Sequence, residues 1–341
     1  MDADDAAAAI AGQRALVLGA SGNVGACVVR HLAAAGADVR VLLRASSSTN
    51  GIDGLDIDRR YGNPFDPAAV AAAMADRDVV YYCIVDTRAE LRDPAPLFAT
   101  NVEGLRTVLD VAVDADLRRF VFCSTIGTVA VERGGATVDE DTPFNWADRA
   151  GGYIQSRRQA EDLVLSYARQ RALPAVVVNV SNPYGPPDWQ PRQGVFVQMA
   201  ALGKMPIYIR GIGSEVVGID DAADAMVRAS VRGRVGERYI VSERYMSHRE
   251  LVTTAADAVG ARRPRIGVPM AVIRMVAGVA DVIAAVSRRD LPLSRQGAWL
   301  LEHTSPASHA KATRELGWEP QPTEHFIARA AENYLRRSRS T

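Results

Sequence analysis

Short apolar runs alternate with helix-like patterns along the first half of the chain. The segment "RALVLGASGNVGACVVRHLAAAGADVRVLLR" begins with an apolar run at residues 15–18, turns through glycines and continues with helical spacing that ends at Gly36. Between further helical patterns such as "DPAAVAAAMA" and "NVEGLRTVLDVAVDA", apolar runs recur at residues 57–61, 79–85, 120–123 and 175–180. Strands that alternate with helices of ten or more residues predict an α/β protein with a parallel, doubly wound sheet.

The pattern changes after residue 180. A Pro- and Gly-rich segment, "SNPYGPPDWQPRQG", is followed by short elements and helices that continue to "FIARAAENYLRR" near the end of the chain. This change predicts a smaller, mostly helical second lobe. Segments near residues 216–230 and 238–241 are expected to return to the sheet.

One stretch of this second half, "IGVPMAVIRMVAGVADVIAAVSRRD", is nearly long enough to span a bilayer. Arg274 and Asp281 interrupt it, and because they are seven residues apart they fall on one stripe of a helix. We therefore interpret the stretch as an amphipathic core or lid helix and expect no membrane span. Association with a membrane surface, or contact with a greasy substrate, through residues 266–286 is the alternative.

Composition narrows the class of protein without identifying it. The 341 residues are 48% hydrophobic and 23% charged, with a formal net charge of zero, so nothing favours nucleic acid as a partner. The acidic start "MDADDAAAAIAG" lacks the basic region of a signal peptide. Cys27, Cys83 and Cys123 have no C-x-x-C spacing, which favours reduced thiols in a cytoplasmic protein over a metal site.

The glycine-rich turn after the first strand is typical of a dinucleotide site. Gly19, Gly22 and Gly25 lie three residues apart, between a strand and a helix. Such glycines allow a tight turn, close approach of the backbone to a pyrophosphate, and packing of the helix against the sheet. A glycine turn that merely packs is the alternative. The other residues expected to bind the phosphates are Ser21, Asn23 and Val24.

The end of the second strand indicates which dinucleotide is bound. NAD sites place an acidic residue there to hold the ribose 2′-hydroxyl. In this chain the strand ends in Arg44, followed by Ser46 and Ser47, and Asp38 lies at the opposite end. An arginine beside hydroxyls suits a 2′-phosphate, so NADP(H) is preferred and NAD(H) stays open. Alternatively, Arg44 is simply an exposed charge at the end of the strand and binds no phosphate.

A tyrosine and an arginine lie one helical turn apart in "GGYIQSRRQAED". Tyr153 and Arg157 share a helix face at this spacing. A phenol beside a fixed positive charge can serve as an acid or base, although the same spacing also occurs by chance on helix surfaces.

Together these segments resemble the extended short-chain dehydrogenase/reductase superfamily. The glycine turn, "NVEG", "FVFCSTIGTV", "YIQSRRQAE", "SNPYGPP", "VVGIDDAADAM" and "ELGWEPQP" occur in the order typical of the NAD-dependent epimerase/dehydratase family. Within that family the chain looks most like dihydroflavonol reductases and 3β-hydroxysteroid dehydrogenases. The resemblance implies a Rossmann-type domain over residues 12–180, with 216–258 partly returning to it, and a substrate-binding lobe over 181–215 and 259–337.

The resemblance also assigns roles to individual residues. The catalytic Ser/Thr falls on Thr125, with Ser124 as the neighbouring alternative, the general acid/base on Tyr153 and the helix cation on Arg157. Besides the glycine turn and Arg44, the implied cofactor-binding residues are Asn63, Cys83, Ile84, Asn101, Asn182 and Pro183. Relatives often pair through two helices, so a homodimer is a further expectation.

Arg157 departs from the family pattern, which has lysine at this position. Arginine supplies charge and hydrogen bonds, but it stays protonated and is a poor member of a proton relay. Of the 40 lysines and arginines only Lys204 and Lys311 are lysines, so the whole composition favours arginine. The substitution puts full turnover in doubt.

Three functions remain open. Nucleotide-sugar members usually carry an arginine before the "DD" helix, and none occurs between Gly211 and Asp220. This favours an NADP(H)-dependent oxidoreductase acting on a small or lipophilic carbonyl or secondary alcohol, with Trp189 as a candidate substrate contact. A nucleotide-sugar epimerase or dehydratase, in which Arg192 or Arg210 replaces the missing cation, is the second hypothesis. A catalytically weak NADP-binding regulator is the third.

Overall fold

Seven parallel strands form the central sheet of the computed structural model, which describes residues 9–186, 194–287 and 294–339. Their order across the sheet is β10-β6-β5-β4-β1-β2-β3. The strands are β1 Arg14–Leu18, β2 Asp38–Leu43, β3 Asp58–Tyr61, β4 Val79–Tyr82, β5 Arg119–Thr125, β6 Ala175–Val180 and β10 Arg238–Val241. The predicted α/β class with a parallel, doubly wound sheet is confirmed.

Helices cover both faces of this sheet, as the buried apolar runs of its strands require. One face carries α1 Asn23–Ala34, α7 Ile219–Arg232 and α11 Ala310–Leu316. The other carries α2 Pro67–Met74, α4 Leu105–Asp114 and α5 Gly152–Arg171, and α4 continues from the short helix α3 Ala95–Phe98 through a π-helical segment, Ala99–Gly104. The strand order reverses between β1 and β4, and ligands of open α/β sheets bind at such a switch point.

The second half of the chain contains more strand than the predicted, mostly helical lobe. Besides β10, five short strands lie there: β7 Asn182–Tyr184, β8 Ile207–Arg210, β9 Gly213–Gly218, β11 Arg244–Ser247 and β12 Ile266–Pro269. They form a three-stranded sheet, β11-β9-β7, and a parallel pair, β12-β8. Besides α7 and α11, the helices of this half are α6 Val195–Ala201, α8 His248–Ala258, α9 Met270–Ser287, α10 Arg295–Glu302 and α12 Thr323–Arg339.

The segment from residue 216 to 258 divides between the two parts. Helix α7 packs on α1, and β10 pairs with β6 at the edge of the main sheet, as expected from the sequence. Strands β9 and β11 and helix α8 belong instead to the second part, where α8 packs against α6 and α12. The boundaries between a cofactor domain and a substrate lobe stay a prediction.

Helix α9 lies at the surface, contrary to the predicted core position. Its large apolar side chains are exposed, among them Val279 and Val286, whereas Ala277 and Ala284 are buried. The core interpretation is therefore wrong for the large side chains of this helix, and the lid interpretation stays a prediction. Among the helices of the described residues, none combines the length and apolarity needed to cross a bilayer.

The glycine turn between β1 and α1 is packed so closely that two of its glycines accept no side chain. Gly19 has a φ of +90°, and a Cβ there would lie 2.6 Å from the carbonyl carbon of Cys83. A Cβ on Gly25 would lie 2.3 Å from the carbonyl oxygen of Gly19, whereas one on Gly22 would come no closer than 3.4 Å to that oxygen. The first and third glycines are therefore needed for packing, and the second is not.

We expect Gly25→Ala to lower the free energy of unfolding by about 1–3 kcal/mol, because the added methyl group overpacks the turn. Gly22→Ala is the matched control, since it adds the same group three residues away at a conformation open to alanine, and it should change stability much less. Denaturant unfolding of the three proteins measures the difference. Equal stability of both variants would show that the turn relaxes freely.

Candidate active site

A cleft of about 530 Å³ opens where β1, β4, β5 and β6 end at the carboxyl edge of the sheet. Most of the residues predicted for the cofactor and for catalysis line it together. They are Gly19, Ser21, Gly22, Asn23, Val24, Gly25, Arg44, Cys83, Ile84, Thr125, Tyr153, Arg157 and Pro183. Residues far apart in the sequence meet here because the carboxyl ends of parallel strands share one edge.

The floor of the cleft presents main-chain groups at the start of α1. Helix α1 begins at Asn23, and Gly22 before it supplies no side-chain cap, so the N-terminus of the helix faces the cleft with main-chain groups. Amide groups at a helix N-terminus favour anions, and the close-packed glycine turn leaves room for a pyrophosphate. This cradle fits a dinucleotide.

Arg44 stands at the end of β2 on the rim of the cleft, where Ser47 joins it. The main-chain amide of Arg44 donates a hydrogen bond to the Ser47 hydroxyl at 3.2 Å. Asp38 lies at the other end of the strand and forms an ion pair with Arg77 at 2.9 Å. Within the described part of the chain, the single carboxylate that lines the cleft is Asp86, which is paired with Arg88.

Three predicted cofactor residues do not line the cleft. Asn63 accepts a hydrogen bond from the amide of Phe65, and Asn182 donates one to the carbonyl of Glu215. Asn101 is buried and bonds both the amide and the carbonyl of Asp86. These side chains shape turns around the cleft, and direct contact with a cofactor stays a prediction for them.

Thr125 and Tyr153 form the centre of the cleft. Thr125 ends β5, and Tyr153 lies in the first turn of α5. The Thr125 hydroxyl is close enough to the Tyr153 phenol to influence its pKa. Burial raises the pKa of Tyr153 above its usual value, and the Arg157 cation and the Thr125 hydroxyl oppose this effect without cancelling it. The Arg157 cation therefore acts to lower the pKa of Tyr153, as a neighbouring positive charge does, but desolvation outweighs it.

Arg157 lies one turn beyond Tyr153 and is almost completely buried, with 1% of its surface exposed. One guanidinium nitrogen donates to the Cys123 carbonyl at 2.5 Å, and the guanidinium carbon lies 5.0 Å from the centre of the Phe122 ring. Its Nε and Nη1 have no hydrogen-bond partner among the described residues. Unpartnered donors at a buried cation are costly, so this side of the cleft also fits a ligand that carries hydrogen-bond acceptors.

Ser124, the alternative to Thr125, is occupied elsewhere. Its hydroxyl donates to the carboxylate of Glu161 at 2.6 Å. Glu161 is fully buried and also accepts hydrogen bonds from Thr128, Asn179 and Arg238. This network ties α5 to β5, β6 and β10, so it holds Tyr153 and Arg157 against the end of β5.

The motif that carries Tyr153 in the sequence also contains Glu161, but no role was predicted for it. A glutamate on a helix is normally solvated, and its burial depends on partners from three other elements. The Asp86–Arg88 pair on the cleft was also missed, because the sequence shows only two opposite charges in a loop.

An apolar wall lies against Tyr153. Tyr153 packs with a cluster of residues from three segments, namely Val131, Phe144, Trp146, Ala150, Ile154, Trp299 and Leu300. The rings of Trp146 and Trp299 are 5.3 Å apart, and the Trp146 indole donates to the Val129 carbonyl. Trp299 stacks on His303 in turn. Trp189 and Arg192, also considered for substrate contact, lie outside the described residues.

Comparison with known proteins agrees with this arrangement. The model of the NAD dependent epimerase/dehydratase family matches residues 15–242. Sterol demethylase protein B of Methylococcus capsulatus is 28% identical over 324 residues, which cover 92% of this chain and 96% of that protein. A putative dihydroflavonol 4-reductase of Synechocystis is also 28% identical, over 319 residues and 92% of both chains.

A solved structure shares the fold. It is a double mutant of the dTDP-glucose 4,6-dehydratase of Streptomyces venezuelae with NAD bound, and it superimposes with a TM-score of 0.76. The match covers 96% of this chain and 98% of that one at 23% identity. With the family model matching two thirds of its length, this chain belongs to the NAD-dependent epimerase/dehydratase family and is an NAD(P)-dependent enzyme of that family.

Proposed function

We propose that this enzyme is an NADP(H)-dependent oxidoreductase that transfers hydride between the nicotinamide and a small or lipophilic carbonyl or secondary alcohol. The observation that carries the proposal is the position of Tyr153. Tyr153 lines the cleft beside Thr125, and the apolar wall packs against it. In this proposal residues 12–180, with part of 216–258, hold the cofactor, and residues 181–215 and 259–337 complete the substrate site.

The chain's own residues act on the substrate oxygen. Thr125 orients the carbonyl by a hydrogen bond, and Tyr153 gives its hydroxyl proton to that oxygen during reduction or accepts a proton during oxidation. Arg157 stabilises negative charge on the phenol from one helical turn away. The bound cofactor supplies or accepts the hydride at its nicotinamide ring.

The apolar wall that packs against Tyr153 favours an apolar substrate over a nucleotide sugar. Its tryptophan, phenylalanine and aliphatic side chains adjoin the cleft through Tyr153, and they are not among the residues that line the cleft. No arginine occurs between Gly211 and Asp220, where a diphosphate-binding cation would be expected. Two of the relatives matched over their whole length are named for a sterol and a dihydroflavonol reaction, and a third is named for glycan biosynthesis.

We expect Tyr153→Phe to reduce kcat/KM by at least about a hundredfold, because it removes the proton donor and keeps the ring. The assay follows NADPH oxidation with a panel of aryl and alicyclic ketones, and Tyr61→Phe, an exposed tyrosine on β3, is the control. Since the pKa of Tyr153 is raised, ketone reduction should persist above neutral pH and fall only in alkali, whereas alcohol oxidation should rise with pH.

Unchanged turnover in Tyr153→Phe would exclude Tyr153 as the acid/base. Turnover of a nucleoside-diphosphate sugar in place of the ketones, with the cofactor retained through the cycle, would support the epimerase/dehydratase hypothesis. Tight cofactor binding without turnover of any substrate would support the regulator.

Arg157→Lys should match or exceed wild-type turnover, because a lysine keeps the charge and can also join a proton relay. It should cost some stability, since the contacts of the guanidinium with Cys123 and Phe122 are lost. Arg169→Lys is the matched control, because this arginine lies exposed near the other end of the same helix. Steady-state kinetics of the wild type and both variants measure the effect. A large loss of turnover confined to Arg157→Lys would show that the site is built around arginine.

Arg44→Ala should weaken NADP⁺ binding about 10- to 100-fold, the range of a lost charge-assisted hydrogen bond, and leave NAD⁺ binding nearly unchanged. Titration calorimetry with both cofactors measures this selectivity. Arg60→Ala, an exposed arginine on the neighbouring strand β3, is the control. A clear wild-type preference for NAD⁺ would contradict the assignment of Arg44.

A further inference from the structure

Helix α9 is amphipathic in the reverse sense of an ordinary surface helix. Its large apolar side chains point away from the protein, with exposed fractions between 40% and 82%: Val272, Met275, Val276, Val279, Val282, Ile283 and Val286. At 100° per residue these seven positions fall within an arc of about 120°. A contiguous exposed apolar stripe of this kind marks an interaction surface.

The opposite face of α9 is firmly attached to the protein. Met270, Ala277 and Ala284 are buried there, so the helix docks mainly through small side chains. Arg274 pairs with Glu302 at 2.6 Å, and Asp281 accepts a hydrogen bond from the amide of Arg295 at 3.1 Å. These contacts fix the rotation of the helix, so the outward stripe is a built feature of the fold.

A basic cluster adjoins the start of this helix. The segment "ARRPRI" places Arg262, Arg263, Arg265 and Ile266 at exposed positions just before β12, which leads directly into α9. The amide of Arg265 bonds the carbonyl of Pro206, which brings exposed Lys204 to the same end.

Most of this positive charge is uncompensated. Arg263 pairs with Asp257, but the side chains of Arg262 and Arg265 have no acidic partner within the described ranges. The apolar stripe is therefore preceded along the chain by largely unpaired positive charge.

We propose that helix α9 and the preceding arginines dock this enzyme on the surface of an anionic lipid bilayer, with the helix axis in the membrane plane. Apolar side chains enter the boundary between headgroups and acyl chains, and the arginines contact the anionic headgroups. This inference goes beyond the proposed function and does not depend on it.

Charge favours lipid over a second copy of the chain. The basic cluster at the start of the helix is complemented by an anionic surface, whereas the apolar stripe of a second copy offers it no negative charge. The stripe is about 21 Å long from Val272 to Val286, so a helix lying in the membrane plane can bury it along its whole length.

The test is sedimentation of the full-length protein with vesicles of phosphatidylcholine, with and without phosphatidylglycerol. We expect at least about tenfold tighter binding to the anionic vesicles, weakened by high salt. Val279→Glu/Ile283→Glu should lower this binding at least tenfold by breaking the apolar stripe, and Arg262→Gln/Arg265→Gln should reduce its dependence on phosphatidylglycerol. Val235→Glu, which places a charge at an exposed valine elsewhere, is the control and should bind as the wild type does.

Absence of wild-type binding to anionic vesicles, or equal binding by the double glutamate variant, would overturn the proposal. Self-association in sedimentation velocity that the same variant abolishes, without vesicle binding, would overturn it in favour of a second copy. Cofactor affinity without vesicles should be the same in all these proteins, so a failure of membrane docking is distinguishable from a failure of the proposed function.

Discussion

The arrangement of the cleft depends on one buried cation. Arg157 is held between the Cys123 carbonyl and the Phe122 ring and has two guanidinium nitrogens without a partner among the described residues. Burying a guanidinium in this way costs free energy that the main-chain and ring contacts only partly offset. In the proposed function this charge serves the ligand and the phenol more than the stability of the fold.

A second buried charge keeps that cation in place. Glu161 lies one turn after Arg157 on α5 and gathers hydrogen bonds from Ser124, Thr128, Asn179 and Arg238. Because its donors come from separate elements, the carboxylate fixes both the position and the rotation of α5. The helix thus presents Tyr153 to the end of β5, where Thr125 completes the pair, and the glycine turn of β1 faces them across the cleft.

Much of the fold and of the cleft could be predicted from the sequence, because the patterns that indicate them are local. Buried strands appear as apolar runs, the glycine turn follows the first of them, and the four-residue spacing places Tyr153 and Arg157 on one helix face. The features that the sequence did not predict depend on the tertiary surroundings of the residues. The raised pKa of Tyr153 reflects desolvation by an apolar wall assembled from three segments, and the inward orientation of Glu161 reflects donors from distant strands. Periodicity likewise identified α9 as amphipathic but could not show which face is turned toward solvent.

The central claim is that Tyr153 is the acid/base of this cleft and that positive charge from Arg157 and an oxidised nicotinamide together stabilise its phenolate. The most direct measurement is an ultraviolet titration of tyrosinate, with the Tyr153→Phe spectrum subtracted, in the presence and absence of oxidised cofactor. The account predicts one phenol that titrates above the usual tyrosine pKa without cofactor and at distinctly lower pH with it. A Tyr153 titration that the oxidised cofactor leaves unchanged would contradict the account.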